Sequence, residues 1–213
     1  METPQTPKTW TARPGLKPER KRSPRVAARR ARMHDHVLRV AAQMFLKKGI
    51  ENVSVEEVLI AADLARSTFY SFFDSKRDLV VQIFRPVFEG GVQHVRGLNG
   101  LPPVEIMYGI IDMFLILWER VGDGLLLRVP NANFELIADA HNAYVGALNQ
   151  CLLGVERAGI LRNGSAVYTQ RLIARSAVDV VRVYRQDPAF KRLYRSTMEG
   201  MLLVDWAHRT SDI

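Results

Sequence analysis

The chain has 213 residues, enough for one large domain or two small ones. A single cysteine, Cys151, excludes an intrachain disulfide. The longest apolar run, residues 113–118, is far short of the about 20 residues that cross a bilayer. Together these observations predict a soluble, cytoplasmic protein. The formal net charge is +8, and residues 1–32 carry all of it, with ten basic residues and two acids, which excludes a uniformly basic surface. This distribution is typical of a polyanion binder, although a basic tail without a ligand has the same composition.

The N-terminal region is predicted to be a disordered basic arm followed by a helix. Residues 1–22 are rich in proline and basic residues and contain few apolar ones, which favours disorder. Ser23-Pro24 then supply an N-cap and a first-position proline, so a helix is predicted from here to Lys48, before Gly49. Four basic residues project from its first half and are predicted to reach phosphates or a minor groove: Arg25, Arg29, Arg30 and Arg32.

The stretch from Ser54 to Lys76 predicts two short helices joined by a tight turn. Ser54 and Glu57 form a capping-box pattern at the start of the first helix, and Asp63 suits a left-handed backbone in the turn. The second helix has a polar first turn and an apolar side that must be buried. Two short helices with such a turn form a helix-turn-helix, whose second helix lies in the major groove of DNA with its N-terminal residues at the base edges.

This stretch resembles the DNA-binding domain of the TetR/AcrR family of bacterial transcriptional regulators. It departs from the usual pattern at Asp63, where the family commonly has Gly, and at Ala65, where it commonly has Ser or Thr. The second departure removes a side-chain cap from the second helix. The matching residues are Ser54-Val55, Val58, Ala61-Ala62, Ser67-Thr68-Phe69-Tyr70, Phe72-Phe73, Ser75-Lys76 and Asp78-Leu79.

The resemblance implies an all-α fold of about nine helices. It places a three-helix DNA-binding domain at residues 23–74 and a helical ligand-binding and dimerisation domain at residues 75–213. It also implies that the helix starting at Ser75 is the lever through which a bound ligand changes the spacing of two DNA-binding heads. Pro86, inside that helix, predicts a kink.

Several side chains of the helix-turn-helix are predicted to contact DNA. The donors of Arg66 suit guanine or phosphate, and the two hydroxyl residues after it can bond to either. The resemblance assigns phosphate contacts to the tyrosine and lysine that follow. For Ser54 the alternative is capping alone, and for Tyr70 it is packing against Phe73. The full predicted set is Ser54, Arg66, Ser67, Thr68, Tyr70 and Lys76, with Arg29 and Arg30 from the first helix.

Beyond residue 100 the pattern is helical throughout. Within the helix predicted from Val104 to Val121, Glu105, Asp112 and Glu119 are spaced by sevens, which predicts a solvent-facing side. The next helix is predicted to begin at Asn131 or Asn133 with Phe134 first in its apolar stripe. Aromatic residues of these two helices have two interpretations, an ordinary core or the border of a cavity for a small apolar or amphipathic molecule. The predicted cavity residues are Phe114, Trp118, His141 and Tyr144.

The last two helices, from Ser165 and from Asp187, show more apolar surface than one core contact would use. This predicts a bundle formed with a second subunit. The predicted interface residues are Ile173, Ala177, Val181, Tyr184, Leu193, Thr197 and Met201.

The sequence therefore predicts a sequence-specific transcriptional regulator that binds double-stranded DNA as a homodimer. The favoured form is a repressor released from a near-palindromic operator by a small effector. The alternative is an architectural or assembly protein whose helical body recruits a protein partner. We find no Gly-rich phosphate loop, metal-ligand spacing or nucleophile motif, so neither an enzyme nor a cofactor nor a metal is predicted.

Overall fold

A computed structural model describes residues 23–129 and 134–204 of the chain. The predicted arm, residues 1–22, and the predicted caps Asn131 and Asn133 lie outside the described residues. The described part is all-α, as predicted, with none of its helices long and apolar enough to span a membrane. Its elements are α1 (Pro24–Lys48), α2 (Val55–Ala61), α3 (Arg66–Tyr70), α4 (Lys76–Gly97), α5 (Pro103–Val121), a 3₁₀ helix (Gly122–Leu126), α6 (Ala138–Arg157), α7 (Ala166–Tyr184) and α8 (Phe190–Leu202).

Helices α1, α2 and α3 form a head around one apolar cluster. Val37 and Phe45 of α1 meet Phe69 of α3 in this cluster, and all three are buried. The first half of α4 contributes to the same core, up to Phe84, ten residues beyond the predicted end of the DNA-binding domain at residue 74. Because α4 is continuous to Gly97, one helix is shared between the head and the rest of the molecule.

The body consists of α5 to α8 and the second half of α4, around a second apolar cluster. Helix α5 is buried along most of its length; on its acidic side Glu105 and Glu119 are exposed, as predicted, and Asp112 is half-buried. Asp112 accepts two hydrogen bonds from Arg195, at 2.6 Å from Nε and 3.1 Å from Nη2, and Glu119 pairs with Lys191. Two of the three acids therefore pair with α8 while this side of α5 remains largely accessible to water.

Helix α6 begins at Ala138, later than the predicted start near residue 131. Phe134 is 39% exposed, so it does not belong to the buried stripe as predicted. The chain before α6 packs on the head instead: Leu127, Leu136 and Ile137 all contact the apolar cluster of the head. The body thus touches the head through α4, through this segment and through the 3₁₀ helix, which contacts α1.

Candidate DNA-binding surface

A capping box starts α2, as predicted. The Ser54 hydroxyl accepts from the Glu57 backbone N–H at 3.2 Å, and the Ser54 backbone N–H donates to the Glu57 carboxylate at 2.8 Å. Lys48 donates to the same carboxylate at 2.7 Å. The bond from Lys48 and then those from Ser54 lower the pKa of Glu57 from 4.5 to about 2. Because this folded-state pKa is depressed, the box stabilises the head above pH about 4.5 and is lost as pH falls towards about 2.

The turn between α2 and α3 also has the predicted geometry. Asp63 has φ of 48° and is the one non-glycine residue with positive φ in the described part of the chain. Ala65 stands at the N-cap of α3 without a side-chain hydrogen bond. Since α3 has five residues and no side-chain cap, it depends on packing for its stability. That packing comes from Phe69, whose ring lies 5.1 Å from the ring of Phe73.

The outer side of α3 is polar and accessible. Arg66 and Ser67 are exposed, Thr68 is half-buried, and Tyr70 is 47% exposed. The Tyr70 ring meets the edge of Phe69 at 5.3 Å, so its packing partner is Phe69 and not the Phe73 of the alternative interpretation. A helix that reads base edges requires this arrangement, because one side must be anchored in the head and the other must be free to approach the DNA.

Arg66 is held by an acid in the free protein. Its guanidinium pairs with Glu56 of α2, and both side chains are more than half exposed. A backbone hydrogen bond and then the bond from Arg66 hold the pKa of Glu56 below its ordinary value. An exposed pair of this kind is readily exchanged, so DNA can replace Glu56 as the partner of Arg66.

Lys76 lies beside the start of α2, although it belongs to α4. Its ammonium group donates to the backbone carbonyl of Glu51 at 3.4 Å. This contact brings Lys76 close to the turn that precedes Ser54, so the first turns of α2 and α4 share one edge of the head. The phosphate contacts of Ser54 and Lys76 stay predictions.

Arg30 makes contacts within the head that the sequence did not predict, and its DNA contact stays a prediction. Its guanidinium lies 4.3 Å from the centroid of the Phe72 ring and donates to the Ser71 hydroxyl at 3.0 Å and to the Ser71 carbonyl. The side chain therefore fastens α1 to the end of α3 and is not a free arm. Arg29, the preceding residue, is exposed and fits the predicted role. Sequence reasoning missed this contact because the partners are more than 40 positions apart.

A second polar network joins α4 to α1 and to the end of α3. Gln82 donates to the Phe72 carbonyl at 3.2 Å and to the Asp78 carboxylate at 3.0 Å, so its amide oxygen accepts from His34 Nε2 at 2.7 Å. The His34 ring also stacks on Phe73 at 5.2 Å. The Ser75 hydroxyl accepts from the Asp78 backbone N–H at 3.1 Å, and the Asp78 carboxylate accepts from the backbone N–H of Asp74 at 3.0 Å. A movement of α4 would be transmitted directly to the end of α3.

We expect Arg30→Ala to destabilise the head by about 1–2 kcal/mol, since it removes charge-assisted hydrogen bonds and a cation–π contact. Thermal unfolding of the full chain measures this loss. The melting temperature of Arg30→Lys should lie between those of the wild type and Arg30→Ala, because lysine keeps the charge but lacks the planar guanidinium group. Arg29→Ala, an exposed neighbour on the same helix, is the control; equal melting temperatures for the two alanine variants would contradict the fastening role.

Residues 37–83, which span the helix-turn-helix and the start of α4, match the family model of bacterial regulatory proteins of the tetR family. Residues 37–83 of the chain thus match a DNA-binding domain of the TetR type. Among curated proteins no sequence matches the chain.

Solved structures with the same overall fold include several TetR-family regulators. PfmR from Thermus thermophilus is 20% identical with a TM-score of 0.62, over 78% of this chain and 96% of that one. The ketosteroid regulator KstR2 of Mycobacterium tuberculosis is 19% identical with a TM-score of 0.65, over 83% and 96%. AibR in complex with isovaleryl coenzyme A and operator DNA is 15% identical with a TM-score of 0.60, over 79% and 97%. At these identities the likeness shows the shared fold.

The four predicted cavity residues are all in contact with other aromatic or core residues. Phe114 is buried in the body core, and Trp118 lies 6.4 Å from the Phe190 ring and 5.7 Å from the Arg185 guanidinium. His141 and Tyr144 both pack on Phe88 of α4, at 5.4 and 6.2 Å. These are packing contacts, and a ligand-lining role for the four residues stays a prediction.

The predicted dimer interface requires a correction. Ile173, Ala177 and Val181 are at most 1% exposed within a single chain, because this stripe of α7 faces the core of its own body. Tyr184, Leu193, Thr197 and Met201 are half-buried, with the Thr197 hydroxyl 3.4 Å from that of Tyr184. The exposed apolar residues of α7 are Val167, Tyr168, Leu172 and Val183.

Proposed function

We propose that this TetR-family regulator binds a near-palindromic operator as a homodimer and is a repressor released by a small-molecule effector. The observation that supports the DNA-binding part is the outer side of α3, where Arg66, Ser67 and Tyr70 are exposed above the buried Phe69. Hydroxyl and guanidinium donors at the start of such a helix suit base edges and phosphates. The exposed Arg29 and the basic residues 1–22 would add phosphate contacts beside it.

A homodimer follows from the length of α3. Five helical residues reach only a few base pairs, whereas two copies of the head could read two half-sites on one side of the duplex. A second copy of the chain is a suitable partner for the exposed side of α7, where Val167, Tyr168 and Leu172 would otherwise remain in water. We place the interface on this side rather than on the buried stripe.

Release by an effector would use α4. Its first half lies in the head core, and Gly91 in its second half supports the Tyr144 ring of α6 so closely that a Cβ there would lie 2.8 Å from the ring. A ligand that displaced Tyr144 would therefore push α4, and Gln82 would carry the shift to the end of α3. A coupling of about 1–3 kcal/mol changes DNA affinity about 5- to 150-fold. AibR, which has a similar fold, is seen with both a coenzyme A thioester and operator DNA.

The test is selection of DNA by the full chain from a pool of random duplexes at about 0.1 M salt. We expect enrichment of near-palindromic sequences whose half-site centres lie about 10 base pairs, or a multiple of that, apart. Light scattering of the complex should give the mass of an even number of chains. As a control, an Arg66→Ala, Ser67→Ala double variant should enrich poorly; an unenriched pool with the wild-type chain would refute the proposal.

A further inference from the structure

A cleft runs between the head and the body on the side of α1. It has a volume of about 570 Å³, with α1 on one side and α4, the end of α5 and the 3₁₀ helix on the other. A second cleft of about 400 Å³ continues from it, sharing Arg39 and Val121 and ending at Trp118. Leu38, Ala42, Ile83, Pro86 and Val121 give the first cleft an apolar lining.

Three arginines converge on the first cleft from both sides. Arg32 and Arg39 come from α1 in the head, and Arg120 comes from α5 in the body. Within the described residues none of the three has an ion-pair partner. Arg185, which lines the second cleft, is by contrast paired with Asp123.

No acid among the described residues lies within 4.0 Å of the three arginines. Asp35, the one carboxylate that lines the first cleft, lies 3.5 Å from Nδ1 of His34. Arg32, Arg39 and Arg120 are all exposed, and three cations around one apolar-lined space repel one another. A bound anion would relieve this repulsion.

The position of Arg120 depends on a glycine of α4. A Cβ added at Gly90 would lie 3.3 Å from Arg120 Nη1 and 3.1 Å from Leu117. One guanidinium nitrogen of Arg120 therefore lies close to the backbone of α4 at Gly90, although the residue is exposed. This keeps a cation of the body beside the cleft, facing the arginines of α1.

We propose that this cleft binds a small amphipathic anion, a phosphate ester or carboxylate that carries a short apolar group. Planar guanidinium groups donate to such oxygens in pairs, and the lining of Leu38, Ile83 and Val121 suits the apolar part. Because Arg39 belongs to the head and Arg120 to the body, a bound anion would hold the two parts together. That regulatory consequence rests on the proposed function, whereas binding itself does not.

Calorimetric titration of the full chain with octyl phosphate, at low salt and without DNA, tests the proposal. We expect saturable binding that is tighter than for inorganic phosphate, which lacks the apolar chain, and tighter than for octanol, which lacks the charge. Arg120→Gln should lower the affinity for octyl phosphate about tenfold or more. Arg39→Gln should do the same from the opposite side of the cleft.

Arg157→Gln is the matched control, because Arg157 is an exposed arginine at the end of α6 whose side chain donates to the backbone of its own helix at 3.3 Å. It should leave the affinity unchanged, and melting temperatures should show that all three variants are folded. Absence of saturable binding, an equal loss in Arg157→Gln, or a loss in only one of the two cleft variants would overturn the proposal. None of these results bears on DNA selection, so failure here is distinguishable from failure of the proposed function.

Discussion

Replacing Phe69 by alanine is expected to lower the free energy of unfolding by about 3–5 kcal/mol and to abolish operator binding. Phe69 is the one buried residue of α3, and it is 0% exposed. Its ring packs against Phe73 and Tyr70, and the five-residue helix has no side-chain cap that could hold it otherwise. A small domain has about 5–15 kcal/mol of stability in total, so this loss is a large share of it.

Urea unfolding of the full chain measures the change, and the affinity for the selected DNA is measured at a temperature where the variant remains folded. Phe69→Leu should recover part of the stability because leucine fills much of the cavity. Tyr70→Ala is the control for stability, since this neighbour is 47% exposed and should cost far less. If Phe69→Ala bound the selected DNA as tightly as the wild type, the DNA-binding conformation of α3 would not depend on the buried Phe69 side chain.

Arg66→Ala is expected to weaken binding to the selected operator by about 1–3 kcal/mol for each head, and by about twice that for a dimer with two heads. The base preference at the contacted position should relax as well, because the bidentate donors that distinguish guanine are lost. Competition between selected and scrambled duplexes measures both effects. Arg157→Ala, far from the helix-turn-helix in sequence, should leave both unchanged.

A second variant separates the role of Arg66 on DNA from its contact in the free protein. Glu56→Gln removes the acid that pairs with Arg66 and also removes a negative charge near the DNA. We therefore expect tighter binding in Glu56→Gln and no such gain when Arg66→Ala is already present. A gain of the same size in both backgrounds would mean that Glu56 acts only by repelling phosphate.

The features that could be predicted from the sequence are those made by residues close together in the chain. The Ser54–Glu57 box, the left-handed Asp63, the missing cap at Ala65 and the end of α1 at Gly49 each depend on a few neighbouring positions. Local hydrogen bonds and backbone preferences determine such features whatever the rest of the fold does. The exposed polar side of α3 could be predicted for the same reason.

The predictions that needed correction all depended on distant partners. Periodicity identified apolar stripes on α7 but could not indicate which one meets the core of its own chain, so Ile173, Ala177 and Val181 were assigned to a dimer. The contact of Asp112 with Arg195 could not be predicted either, because the two residues are 83 positions apart.

By itself, then, the sequence determined the helical class, the helix-turn-helix and the side chains that α3 presents, because these follow from short-range spacing. Only the tertiary structure decided that Arg30 fastens α1 to α3, that Gln82 links α4 to the end of α3, and that three arginines share a cleft between head and body. Those arrangements bring together residues from separate helices, and the packing of two apolar clusters sets their distances.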